Sequence, residues 1–240
     1  MEERNGEFYM CGISADAPGC IHNIKELKER ILERGFLPLF QNELPGFSVE
    51  EMTAPEGWFS DDPARDPWYW RTVIARGHEI VYGKLFGNRA GFLSREWLPY
   101  FANYRRDGYD FDALWDDGKA PLRQKKIMDL FTEETELYSF EVKQQAGFFA
   151  GGEKNFEGTV TALQMQLYLC VCDFRKRKNK RGMEYGWDVS VYSTPEHLFG
   201  YEALSAAYKE APEISLKRIL DKLSEYYPDA SEEVLLRAVK

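Results

Sequence analysis

The chain has 240 residues, 44% hydrophobic and 15% aromatic, which is enough apolar material for one large domain or two small ones and excludes a disordered polypeptide. Its 31 Lys and Arg against 40 Asp and Glu give a formal net charge of -9, so its long-range field repels phosphate backbones and any nucleic-acid contact has to be local. The opening MEERNGEFYM carries charges where a signal peptide needs an apolar core, and no apolar run is long enough to span a bilayer, so a cytoplasmic protein without a membrane partner is expected.

Ile21 to Arg34 places Ile24, Leu27, Ile31 and Leu32 on one helical face, with Gly35 as the stop. FLPLF then reads as an extended segment, and the turn at Pro45 and Gly46 leads to a short helix beginning near Ser48. Thr53 to Pro67, rich in Pro, Gly and Asp, reads as a loop. The stretch WYWRTVIARGHEIVYGKLFGNRAGFLS alternates apolar residues and breaks at Gly77 and at Gly87 with Asn88, which predicts two or three short antiparallel strands. Ser94 is placed to cap a helix running toward Gly108, and Asp110 a second that ends near Gly118.

Beyond Pro121 the pattern changes to three helices: Ile127, Leu130 and Phe131 in the first, Ser139 capping the second, and Phe156, Val160, Leu163 and Leu167 along the third. A hairpin follows, with LYLCVCDF and YGWDVSVYS as strands and the basic segment around Gly182 as the turn. Helix, helix, helix, strand, wing, strand is the order of a winged helix-turn-helix. The tail is helical, with Leu216, Ile219, Leu220 and Leu223 in one stripe and Ser231 capping a final helix. The expected architecture is therefore α+β: an aromatic-rich small antiparallel sheet with helices over residues 1–119, a winged-helix domain over 120–200 and a helical tail over 201–240.

Six basic side chains, Arg175, Lys176, Arg177, Lys178, Lys180 and Arg181, fall within seven residues at the hairpin tip. On a wing they suit phosphate contact, with DNA as the partner; as plain hairpin charges they keep strand edges soluble. The outward positions of the third helix, Lys154, Gly158, Thr161, Ala162 and Met165, lack the Arg, Asn and Gln side chains that read base edges in the major groove, so shape and phosphate contact are expected to dominate. Gln164 and Gln166 are the candidate catalytic pair. Two apart, they share a face on a strand and oppose each other on a helix. The aromatics from Trp58 to Trp115, including Trp68, Tyr82, Phe86, Phe92 and Phe101, can line a pocket for a small planar ligand or a protein partner, or simply form a core.

Cys11, Cys20, Cys170 and Cys172 follow no C-x2-C spacing, and the three histidines stand apart from one another, so reduced thiols are expected and no metal or other cofactor. No hydrolase elbow, Walker or dinucleotide motif is present.

The segments GFLPLFQNELPGFSVEEMT, WFSDDPARDPWYWR, YGKLFGNRAGFLSREWLPYFANYRRDGYDFD and FEGTVTALQMQLYLCVCDFRKRKNKRGMEYGW resemble the bacterial AlkZ-related proteins over about residues 25 to 200. That resemblance implies a distant relation to the AlkZ-like DNA glycosylases, which are built from winged-helix repeats and excise damaged bases. Their motif of Gln, an apolar residue, then Gln or Asp is matched by Gln164, Met165 and Gln166, here closing the third helix of the single winged helix rather than lying early in the chain. Carried over, it implies base excision at Gln164 and Gln166.

Overall fold

In the computed structural model of the chain, residues 2–4 and 7–240 are described, with side chains from Tyr9 onward. A short ribbon pairs β1 (Glu2–Arg4) with β2 (Glu7–Tyr9). Helix α1 (Ile24–Arg34) begins at Asn23, whose Oδ1 accepts from the backbone N–H groups of Lys25 and Glu26 at 3.1 Å each. It buries Leu27 and Ile31 and stops at Gly35, where φ is +84° and an added Cβ would lie 2.5 Å from the Trp97 ring. β3 (Phe36–Pro38) follows, and the short helix expected near Ser48 is a single 3-10 turn, Glu50–Met52.

The segment read as the first of several strands is helical. α2 (Pro67–Gly77) starts from Asp66, whose carboxylate accepts from Trp68 N at 2.9 Å, with Pro67 at the first helical position. Its buried residues Trp70, Arg71, Ile74 and Ala75 recur at three- and four-residue spacing, a period that local aromatic alternation masks. Two strands follow as expected: β4 (Ile80–Phe86) and β5 (Arg89–Ser94), joined by Gly87 and Asn88 with φ of +56° and +62°. Ser94 belongs to β5, and α3 (Leu98–Arg106) begins only at Leu98; α4 (Phe111–Asp116) follows it.

The second half runs α5 (Leu122–Met128), β6 (Leu137–Tyr138), α6 (Ser139–Gln145), α7 (Phe156–Met165), β7 (Cys170–Lys178) and β8 (Glu184–Ser193). The tail folds into α8 (Pro195–Phe199), α9 (Tyr201–Ser205), α10 (Pro212–Ser224) and α11 (Glu232–Val239), the last capped by Ser231. No helix among the described residues is long and apolar enough to cross a membrane.

The molecule is α+β, with β3, β5, β4, β7, β8 and β6 forming one six-stranded antiparallel sheet in that order. The Tyr82–Val171 pair joins β4 to β7, so strands from both sides of residue 119 share one sheet, and their buried side chains belong to one core. Most of the aromatics fill that core. Phe36, for example, is ringed by Phe47, Phe86, Trp97 and Phe101 at centroid distances from 4.9 to 6.3 Å.

Candidate nucleic-acid interface and cleft

The β7–β8 hairpin runs beyond the sheet that anchors it. Cys170 to Phe174 are buried, whereas every residue from Lys176 to Asp188 is exposed. Its basic side chains are not equivalent. Arg175 is tied down: its two terminal nitrogens donate to Glu136 at 2.5 and 2.9 Å, and its Nε donates to the buried Asp173 at 2.6 Å. These bonds to Glu136 and Asp173 raise its pKa. Lys176, Arg177, Lys178, Lys180 and Arg181 make no ion pair among the described residues, and Arg177 lies 5.0 Å over the Phe140 ring.

The hairpin ladder is interrupted. Between the pairs Arg175–Val189 and Arg177–Tyr185, β7 contributes Lys176 alone while β8 contributes Gly186, Trp187 and Asp188. Gly186 supplies the φ of +73° that this bulge needs. The bulge leaves Trp187 92% exposed, and Asp188 lines a cleft at the foot of the hairpin.

That cleft, of about 450 Å³, lies among β4, β7, β8, α2 and the end of α7. Gln164 lines it and is only 2% exposed as a residue. Its Oε1 accepts from Lys84 N at 2.9 Å, while its Nε2 makes only a long 3.4 Å bond to Val160 O. Gly83 leaves room for the Gln164 amide, because a Cβ there would come within 2.9 Å of Gln164 Oε1. Gln166 lies elsewhere: its amide oxygen accepts from Gln124 Nε2 at 3.2 Å on α5. The structure therefore does not bring the two glutamines together at one surface. They sit on helical backbone, where residues two apart diverge.

Two adjacent arginines of α3, absent from the sequence-based candidates, hold the backbone of this motif. Arg105 donates to the carbonyls of Met165 at 3.2 Å, Leu85 at 2.5 Å and Val239 at 2.9 Å, and burial lowers its pKa to about 10. Arg106 donates to the carbonyls of Gln166 at 3.3 Å and of Leu167, to Glu196 at 2.6 Å and to Tyr208 at 3.2 Å. Burial pulls the Arg106 pKa down, but Glu196 and the neighbouring tyrosines outweigh it and the net direction is up. Between them they fix the α7–β7 corner, where Leu167 adopts a φ of +60°.

Arg71 was also missed. Its guanidinium carbon lies 3.7 Å from the Trp68 ring centroid and 3.8 Å from that of Phe174. The signal, Trp and Arg three apart, is legible only once residues 67–77 are read as a helix. Cys170 and Cys172 are buried free thiols whose pKa burial raises, and the described residues contain no cluster of His, Cys, Asp and Glu able to hold a metal ion.

A family model described as AlkZ related matches residues 21–240, nearly the whole chain. The chain belongs to the AlkZ-related family. No curated protein and no solved structure matches it. The matched span takes in every element from α1 to α11, so within this AlkZ-related chain the hairpin, the cleft and the arginine-clamped corner all lie inside the region that defines the family.

Proposed function

We propose that this AlkZ-related protein is a winged-helix nucleic-acid binder that contacts DNA phosphates through the β7–β8 hairpin, with Gln164 positioned to meet a base drawn into the adjoining cleft. The order α5, β6, α6, α7, β7, β8, with β6 paired to β8, supports the winged-helix reading. One observation carries the binding claim: five hairpin cations, none in an ion pair among the described residues, stand on an arm that extends from an acidic body, beside a fully presented tryptophan. Phosphate contacts by such cations supply affinity without base readout, and an exposed aromatic adds stacking. The outer face of α7, with Glu157, Gly158, Thr161, Ala162 and Met165, carries no Arg, Asn or Gln to read base edges, which favours sequence-tolerant binding.

Base excision, on this reading, rests on Gln164, the only one of the two glutamines that lines the cleft. Gln166 positions the corner through Gln124. The test is a titration of duplex DNA, with and without alkylated bases, across a salt series. Neutralising Lys178, Lys180 and Arg181 together lowers the slope of log affinity against log salt by up to about 2.7, at about 0.9 per phosphate contact, whereas Arg175→Gln leaves it unchanged. An unaltered slope in the triple variant, or no binding to any duplex, refutes the hairpin reading. Release of free base that survives Gln164→Ala refutes the role of Gln164.

A further inference from the structure

The cleft carries the opposite charge from the molecule that contains it. Three cations, Arg71, Lys84 and Arg89, line it against one carboxylate, Asp188, a net of +2 on a chain of net -9. Lys84 and Arg89 have local partners, in Thr161 Oγ1 at 3.2 Å and Gln41 O at 3.0 Å, both neutral oxygens. Arg71 is more unusual. It is 7% exposed, it is clamped between two aromatic rings, and its buried Nε has no hydrogen-bond partner among the described residues. A hydrogen bond to the Tyr82 hydroxyl and the charges of Asp188 and Asp66 favour its protonated form, and among the described residues it donates no hydrogen bond to a carboxylate. A buried guanidinium without a bonded anion costs stability, and the cost is retained here at the wall of a cleft.

We propose that this cleft is a binding site for a phosphate monoester, with Arg71 as the residue that takes the phosphate and Lys84 and Arg89 completing its charge. A phosphate monoester carries close to two negative charges at neutral pH, which matches the cleft's surplus of +2. Its planar oxygen edges suit the forked donors of a guanidinium held rigid by stacking. The walls add apolar surface from Phe40, Trp68 and Val171 for the organic group that the phosphate bears, and the volume of about 450 Å³ is that of a small-ligand site. Phe174 and Asp188 also border a second groove, lined by Arg76, Lys176 and Lys178, that leads onto the hairpin. A phosphate at the end of a nucleic-acid strand and a free nucleotide would both satisfy this chemistry. The site stands whether or not the hairpin binds a duplex.

The experiment is isothermal titration of the whole chain with inorganic phosphate, a nucleoside 5′-monophosphate, the corresponding nucleoside, and a short single strand with or without a 5′-phosphate. Binding of phosphate and the monophosphate but not the nucleoside is expected. Preference for the phosphorylated strand over its hydroxyl twin identifies a strand end as the source, and equal affinity of the two strands, with the monophosphate bound, identifies a free nucleotide. Arg71→Gln should weaken binding tenfold or more, consistent with loss of a charge-assisted hydrogen bond. Should that variant fail to fold, Lys84→Gln and Arg89→Gln, at the cleft's rim, each decide the matter by weakening the same ligands. Nucleoside binding equal to that of the monophosphate, no binding by any phosphate compound, or full affinity in the charge-neutralised variants overturns the proposal.

Discussion

Replacing Arg106 by Met tests whether the corner after α7 is held from outside. The Arg106 side chain is fully buried and makes four polar contacts: the carbonyls of Gln166 and Leu167, one oxygen of Glu196 and the Tyr208 hydroxyl. Its guanidinium also lies 4.3 Å from the Tyr168 ring centroid. Met fills comparable apolar volume but donates nothing, so two backbone acceptors and a carboxylate lose their donor. Each orphaned acceptor costs about 1–3 kcal/mol. Glu196 is 29% exposed and recovers part of its solvation, so the carboxylate contributes the smaller share. The total falls at about 3–5 kcal/mol, the range for breaking one side of a buried ion pair. For a chain of this size that corresponds to a fall in melting temperature of about 6–20 °C. Urea denaturation followed by circular dichroism measures it, and adding Glu196→Leu should return part of the loss by removing the stranded charge. A loss under about 1 kcal/mol for Arg106→Met refutes the clamp.

Two further outcomes follow from the same geometry. Gly83→Ala places a methyl group against Gln164 Oε1 and strains its bond to Lys84 N, at a cost of about 1–2 kcal/mol; denaturation of the double variant with Gln164→Ala should show most of that cost gone, and an additive double variant would contradict it. Burial holds the Cys172 thiol neutral up to about 12, against 9.0 ordinarily, so from pH 9 to 12 the folded state keeps a proton that the unfolded state releases. Stability should fall with rising pH across that window by up to about 1.4 kcal/mol per unit for this one group, and Cys172→Ala should make the fall shallower by that share while Cys170, whose pKa burial also raises, keeps its own; an equally steep fall in Cys172→Ala refutes it.

How much of this was legible in the sequence depends on the range of the forces involved. The hairpin was readable because its signals are local, with β-branched and aromatic runs on either side of Gly182, but the basic segment is not the turn: Arg175 to Lys178 extend β7, and the chain turns only over 179–183. Turn chemistry likewise marked Gly87 and Asn88. Residues 67–77 misled because Trp68, Tyr69 and Trp70 satisfy a strand pattern and a helix pattern at once; the deciding contacts are the Asp66 cap and the burial of Trp70, Ile74 and Ala75 against β4 and β7. The cleft was unreadable for a different reason. Its lining comes from Phe40 and from α2, β4, β5, α7, β7 and β8, up to 152 positions apart between Phe40 and Tyr192, and it is the packing of those elements, with Tyr82 paired to Val171 in the sheet, that brings them together. The roles of Arg105 and Arg106 were equally hidden, since basic residues at a helix C-terminus are expected there for the dipole alone.

The charge burst at residues 175–181 therefore divides. Arg175 is spent on Glu136 and Asp173 and anchors the hairpin to the body, while the cations beyond it form no ion pair among the described residues. A burst serving only to protect a strand edge from aggregation would not need Trp187 presented to solvent on a glycine-dependent bulge, because an exposed aromatic works against solubility. Nor would a soluble turn need a cleft of opposite charge to the body at its foot, joined to it through Phe174 and Asp188. The exposed tryptophan and the arginine without a bonded anion lie on the hairpin and at its foot, and the binding proposed above accounts for the cost of both.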